Sequence, residues 1–131
     1  MSRNPSRPLS PHLTIWRWGP HMLVSILHRI TGGALSVAGL ALLVWWLVAI
    51  AGGPGAYASL ANAAKHPLGL VVLIGISWAF FQHMLSGMRH LLLDTGAGYE
   101  LNINRSMAVA TIVGSISLTI ALWVNLLGVF A

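Results

Sequence analysis

Three long apolar stretches, separated by short polar or glycine-rich segments, dominate the pattern of hydrophobic and polar positions along the chain. They cover approximately residues 21–51, 67–94 and 106–131, and each exceeds the ~20 residues that an α-helix needs to cross about 30 Å of hydrocarbon. A chain of 131 residues is too small to bury three such helices inside a soluble protein. The pattern therefore predicts an all-α integral membrane protein whose three transmembrane helices occupy a domain over residues 21–131.

The segments between the stretches carry turn-forming residues. Residues 1–20 are polar, proline-rich and basic, contain no apolar stretch like a signal-peptide core, and are predicted to form a tail on the cytoplasmic side. The run Gly52-Gly53-Pro54-Gly55 ends the first stretch and is predicted to open a loop of small residues that ends near Lys65. Asp94-Thr95-Gly96 ends the second stretch.

Composition supports this assignment, and the positive charges give an orientation. The chain is 56% hydrophobic and only 7% charged, whereas a soluble domain carries about 25% charged residues. Its net charge of +5 would suggest a nucleic-acid ligand in a soluble protein, but in a membrane protein it indicates topology, and we expect no nucleic-acid partner. Arg3, Arg7 and Arg17 precede the first helix and Arg105 the third, while the other side offers mainly Lys65. The N-terminus is therefore predicted to face the cytoplasm.

A polar group lies at membrane depth in the first predicted helix. Ser25 is followed by His28 and Arg29 at helical spacings of i+3 and i+4, so the three share one stripe. Arg29 lies roughly 13 Å beyond Pro20, deep enough that its charge needs a partner or water. Snorkelling to the headgroups would account for Arg29 but not for the neighbouring histidine and serine. This donor set suits an anionic or carbonyl-bearing ligand.

A second polar face lies on the second predicted helix. His83, Gly87, His90 and Asp94 recur at i, i+4, i+7 and i+11, and His83 lies about 16 Å from Asp94, close to the depth of Arg29. Gly87 would leave space for a flat macrocycle or for a close helix. Because the chain has no cysteine, neutral imidazole beside this glycine favours haem iron, although a hydrogen bond from His83 to a neighbouring helix is the alternative.

The two histidines of this face cannot bind one iron together, because about 10.5 Å of helix separates them. One of them would be a ligand and the other would lie near the haem propionates. His90, with Arg89 beside it, lies nearer the inner surface and is the better partner for an anion. Anchoring at the membrane interface accounts for Arg89 equally well.

Three motifs in this order resemble the cytochrome b subunits of succinate dehydrogenase, respiratory complex II. They are Arg7-Pro-Leu-Ser-Pro-His-Leu13, Ser25-Ile-Leu-His-Arg29-Ile-Thr-Gly32, and His83-Met-Leu-Ser-Gly-Met-Arg-His90 with Asp94. The resemblance implies a four-subunit enzyme made of a flavoprotein that oxidises succinate, an iron–sulfur subunit, this chain and a second small membrane-anchor subunit. This chain would then form half of a heterodimeric haem-binding helix bundle in the lipid bilayer.

The resemblance also implies roles for individual residues. Ser25 and Arg29 match family positions that form the ubiquinone pocket, and Trp18, Met22 and Ile26 match positions that line it. His83 matches an axial ligand of one haem b, whose other ligand comes from the partner membrane subunit. The positions expected near the haem propionates are His28, Arg29 and His90. Succinate chemistry would take place in the other subunits, and this chain alone would not be an enzyme.

Several alternatives are open at this point. A fumarate reductase anchor working in the reverse direction would use the same architecture. A self-contained cytochrome b could instead hold two haems between His28 and His83 and between His21 and His90, since these pairs have roughly matched depths. A transporter or assembly subunit is disfavoured because the helices lack acidic residues in their middles.

The cellular location follows from the length of the tail. Only six residues precede Arg7, which is too few for a cleavable organelle-targeting peptide. A bacterial cytoplasmic membrane is therefore expected, with the mitochondrial inner membrane as the alternative.

Overall fold

The computed structural model describes residues 17–129 of the chain, with side chains to residue 128, and this part consists of helices and their short connections. Most of the predicted tail, including the motif over residues 7–13, lies outside the described residues, as do the last two residues of the chain. The described part contains three spans, Pro20–Ala51, Pro67–Asp94 and Leu101–Gly128, that are long and apolar enough to cross a membrane. The predicted all-α fold with three transmembrane helices is confirmed.

The first span combines two α-helices and a π-helical turn. Helix α1 covers Pro20–Ala34, the π-helical turn covers Leu35–Gly39, and helix α2 covers Leu40–Ala51. Pro20 suits the start of α1 because its fixed φ is already helical and the missing N–H is not needed there. The π-helical turn widens the backbone and changes which side chains face the neighbouring helices beyond it.

A helix replaces the loop that the sequence pattern predicts after the first span. Helix α3 covers Pro54–Lys65, so the predicted small-residue loop is wrong. Gly53, with φ at +82°, makes the turn that a side chain would disfavour, and Pro54 begins the helix. The small residues that suggested a loop are largely alanines, which have the highest intrinsic helix propensity.

Two long helices complete the chain. Helix α4 covers Pro67–Asp94 and helix α5 covers Leu101–Val129. Helix α5 begins at residue 101 rather than near 106, because its first turns are polar and do not continue the apolar pattern. In this first turn the amide of Asn104 donates to the carbonyl of Glu100 at 2.8 Å.

Helices α1, α4 and α5 pack together as a three-helix bundle, while α3 packs against α2 and the start of α4. The centre of the bundle is unusually polar, because buried positions there include Thr31, Gln82, Ser86, Arg89, Thr111, Ser115 and Thr119. Most large apolar side chains face outwards. This arrangement is expected in lipid, where burial of apolar surface does not drive helices together and small or polar residues hold them in contact.

Candidate functional site

The imidazole of His83 is held from helix α1 by backbone and side-chain groups. Its Nδ1 atom lies 3.1 Å from the carbonyl oxygen of His28 and 3.4 Å from Oγ1 of Thr31, a buried residue. Because the carbonyl can only accept, the hydrogen bond assigns the proton to Nδ1. The other ring nitrogen, Nε2, then carries a lone pair and can bind a metal.

A glycine on α1 makes the close approach of this ring possible. A Cβ atom added at Gly32 would lie 2.9 Å from Cε1 of His83, which is closer than real Cβ atoms come to other groups. At Gly87, the glycine that the sequence pattern singled out, an added Cβ would lie at an ordinary contact distance of 3.7 Å from Cε1 of His28. The tight contact beside His83 is therefore at Gly32, and Gly87 faces His28.

Three of the predicted site histidines lie together between α1 and α4. The rings of His28 and His83 stack with centroids 4.0 Å apart and planes within 5°, and His90 approaches His28 with centroids 4.8 Å apart. Nδ1 of His90 bonds the carbonyl oxygen of Ser86 on its own helix at 2.7 Å. Nδ1 of His28 is buried without a hydrogen-bond partner among the described residues. The cluster therefore contains two imidazoles, His83 and His90, whose Nδ1 protons are assigned by backbone carbonyls, and His28 lies between them without such a bond.

The predicted quinone residues lie on and just before the first turns of α1. Met22, Ser25, Ile26 and Arg29 recur at i, i+3, i+4 and i+7 and share one helix face. Met22, Ser25 and Ile26 are half-buried, whereas Arg29 and the preceding Trp18 are exposed. This face is thus open to a ligand or a neighbouring subunit, and it adjoins the histidine cluster because His28 and Arg29 are consecutive.

A buried polar seam between α4 and α5 was not predicted from the sequence. Gln82 and Ser86 are both 0% exposed, and Oε1 of Gln82 accepts a hydrogen bond from Oγ of Ser115 at 2.7 Å. Arg89 is only 7% exposed and donates to Oδ1 of Asn104, so it packs between helices rather than anchoring at the interface. The spacing 82, 86 and 89 is the i, i+4, i+7 signal that could have revealed this seam.

The chain matches the family described as the succinate dehydrogenase/fumarate reductase transmembrane subunit over residues 3–122. It is 44% identical over 115 residues to the succinate dehydrogenase cytochrome b556 subunit of Paracoccus denitrificans, covering 88% of each chain. The corresponding subunit of Rickettsia conorii is 38% identical over 118 residues, with 90% of this chain and 91% of the relative covered. The mitochondrial cytochrome b560 subunit of Sus scrofa is 39% identical over 101 residues, which cover 73% of this chain and 57% of the relative.

The chain belongs to this transmembrane-subunit family. The resemblance seen in its motifs is thereby confirmed, and the chain is a membrane subunit of an enzyme complex rather than a complete enzyme. Family membership also agrees with the three apolar spans. Within the three-helix bundle of this chain, α1 and α4 supply the histidine cluster, and α5 forms the polar seam with α4.

Proposed function

We propose that this chain is the cytochrome b membrane anchor of a succinate:quinone oxidoreductase, and that it helps to hold one haem b and the ubiquinone that accepts electrons from succinate. The observation that carries the proposal is the contact between Nδ1 of His83 and the carbonyl oxygen of His28. This contact orients the ring and leaves the lone pair of the neutral imidazole on Nε2, the nitrogen that would bind the haem iron.

The surroundings of His83 fit a haem with this ligand. Gly32 and Thr31 both lie against the imidazole, so the ring cannot turn freely about its Cβ–Cγ bond. A haem bound there would supply a one-electron redox centre, and the protein's part is to hold and orient it. The other axial ligand is assigned to the second small membrane-anchor subunit.

The propionates of this haem are proposed to lie near His28, Arg29 and His90. The rings of His28 and His90 are in contact, and Arg29 follows His28 in the chain. Nδ1 of His28, which has no hydrogen-bond partner among the described residues, and the guanidinium of Arg29 are suitable donors to carboxylates. His90 could donate as well only with a second proton on Nε2, because its Nδ1 proton bonds a backbone carbonyl of its own helix. Arg89 adds positive charge on the neighbouring face of α4, since its partner Asn104 is neutral.

Ubiquinone is proposed to bind against the open face of α1. The hydroxyl of Ser25 and the guanidinium of Arg29 would donate hydrogen bonds to a quinone carbonyl oxygen, and Trp18, Met22 and Ile26 would contact its ring. Negative charge develops on that oxygen during reduction, so donors aimed at it stabilise the reduced form. Arg29 can donate to both the quinone carbonyl and a haem propionate, because its guanidinium carries several N–H donors that point in different directions.

The partner subunits and the cellular location follow from the proposed membership in a succinate:quinone oxidoreductase complex. The partners are proposed to be a flavoprotein, an iron–sulfur subunit and the second anchor subunit, in a bacterial cytoplasmic membrane with the N-terminus on the cytoplasmic side. The bacterial relatives named above are succinate dehydrogenase subunits, which supports succinate oxidation over the fumarate reductase alternative.

The self-contained cytochrome with two haems is not favoured. In such a site each imidazole points a nitrogen at the iron from opposite sides of the macrocycle. The rings of His28 and His83 instead stack face to face 4.0 Å apart, which leaves no room for a macrocycle between them.

Expression of the chain with and without its partner anchor tests the proposal. The complete complex should give one low-spin haem b per copy of this chain, whereas the chain purified alone should lack a normal bis-imidazole spectrum. If the lone chain shows that spectrum, the shared haem site is wrong and both ligands lie within this chain.

A further inference from the structure

Helices α2 and α4 separate at the end of the bundle opposite the histidine cluster. Helix α1 packs closely against α4, but beyond the π-helical turn the described residues of α2 make no close backbone contact with α4. Helix α3 lies across the opening and contacts both helices. The result is a wedge bounded by α2 and α4 and covered by α3.

Two apolar grooves occupy this wedge. The first has a volume of about 360 Å³ and runs past Trp45 and Val72, and the second has a volume of about 510 Å³ and runs past Trp46 and Ala61. They share one wall, formed by Leu42, Leu60, Ala64 and Leu73. Both volumes are typical of small-molecule pockets. The shape fits two flexible chains that run side by side.

The rim of the wedge is basic. His66 lines the first groove, and Lys65 lines the second. Nδ1 of His66 accepts a hydrogen bond from the amide of Leu68 at 3.3 Å, so Nε2 is the donor nitrogen of the neutral ring. Of the two acidic residues of the sequence, Asp94 ends α4 and Glu100 follows it, both at the opposite end of this helix. An ammonium and an imidazole N–H with no carboxylate side chain near them in the described part of the chain are complementary to a phosphate.

We propose that the wedge binds one anionic phospholipid, with one acyl chain in each groove and its phosphate beside Lys65 and His66. The position is separate from the proposed quinone face, because Leu42 lies 17 residues, or roughly 25 Å, from Ser25 along the helix. The lipid fills the space that the divergence of α2 leaves, and it thereby links α2, α3 and α4. Basic residues beside grooves between transmembrane helices are suited to this class of lipid.

Native mass spectrometry of the intact complex tests the site. The complex is exchanged into micelles that contain equal amounts of dioleoyl phosphatidylglycerol and dioleoyl phosphatidylcholine, and the retained lipids are counted. The wild-type complex should retain one phosphatidylglycerol per copy of this chain in preference to phosphatidylcholine. Lys65→Gln should lower this retention about fivefold, the effect of one basic residue near anionic lipid.

Two further variants distinguish binding of the lipid in the wedge from non-specific attraction of anionic lipids to the positively charged chain. Arg105→Gln removes the same charge from an exposed position at the other end of the bundle and should leave retention unchanged. Ala64→Leu adds volume to the wall shared by both grooves and should lower retention while the haem spectrum and quinone reduction stay normal.

The proposal is overturned by equal retention of the two lipids, by loss of retention in Arg105→Gln as large as in Lys65→Gln, or by normal retention in Ala64→Leu. Recovery of quinone in place of lipid, or of no lipid at all, would also overturn it. The last result would indicate that another protein segment covers the wedge.

Discussion

Nδ1 of His83 lies 3.1 Å from the backbone carbonyl oxygen of His28, so the ring on α4 is held by the main chain of α1 and not by the His28 side chain. A backbone acceptor survives any substitution that leaves the helix intact. The two histidines should therefore respond differently to mutation, although their rings stack on each other.

His83→Leu should abolish the normal low-spin spectrum of haem b, because it removes the proposed axial ligand. His28→Leu should leave six-coordinate haem with a shifted midpoint potential, since the carbonyl that orients His83 remains. Absorption spectra and redox titration of the purified complexes provide the measurement. Loss of six-coordinate haem in His28→Leu, with His83→Leu unaffected, would exchange the two assignments.

Gly32→Ala should disturb the haem site, because the added Cβ would lie 2.9 Å from Cε1 of His83 and the ring would have to move. Altered support of a ligand typically lowers metal affinity by about 10- to 100-fold, and we expect haem affinity to fall in that range. Gly33→Ala is the matched control, since nothing lies within 4 Å of a Cβ at that position. Equal haem content in both variants would show that the contact at Gly32 does not constrain the ligand.

Arg29→Ala should prevent electron delivery to ubiquinone while leaving succinate oxidation with a soluble dye that accepts electrons before the membrane subunits. Loss of a charged donor to the reduced quinone should cost about 2–4 kcal/mol, by analogy with a single oxyanion-hole donor. Ser25→Ala should have a smaller effect in the same direction. Normal ubiquinone reduction by both variants in an intact complex would remove these residues from the quinone site.

Gln82 and Ser115 should be energetically coupled, because their side chains share a buried hydrogen bond of 2.7 Å. Polar contacts between membrane helices contribute about 0.6 kcal/mol on average and up to about 1.7 kcal/mol. A double-mutant cycle with Gln82→Leu and Ser115→Ala, measured as resistance of the complex to denaturing detergent, should give a coupling in this range. Ser117→Ala, at an exposed position of α5, should show no coupling to Gln82→Leu. Additive effects of the first pair would contradict a cooperative seam.

The N-terminus should face the cytoplasm and the C-terminus the opposite side, because three arginines precede α1 and Arg105 lies in the first turns of α5. Compartment-specific reporters fused to each end measure this directly. Reporters on the same side would be incompatible with three membrane crossings.

The sequence alone was sufficient for the three membrane helices and for the family. Length and apolarity decide whether a segment crosses the bilayer, and both are local properties of the chain. The predicted proximity of His28 and His83 also appears in the structure, because antiparallel helices with fixed rise bring residues of similar depth together. The proximity of His90 to His28 was implied only by the family resemblance. Helix α3 was missed because its glycines and alanines resemble a loop when only the composition is considered.

The tertiary structure decided which groups make the close contacts. The depth of a residue along a helix could be estimated from residue spacing, but the rotation of the helix about its axis depends on packing against the other helices. For this reason the sequence pattern singled out Gly87, whereas the tight contact with His83 is made at Gly32. Arg89 likewise suited an interfacial position until α5 was seen to bury it. The divergence of α2 from α4 also required the structure, because it depends on the π-helical turn and on how α3 packs across the gap. Local spacing fixes the height of a side chain in the membrane, whereas only the assembled helices fix its neighbours.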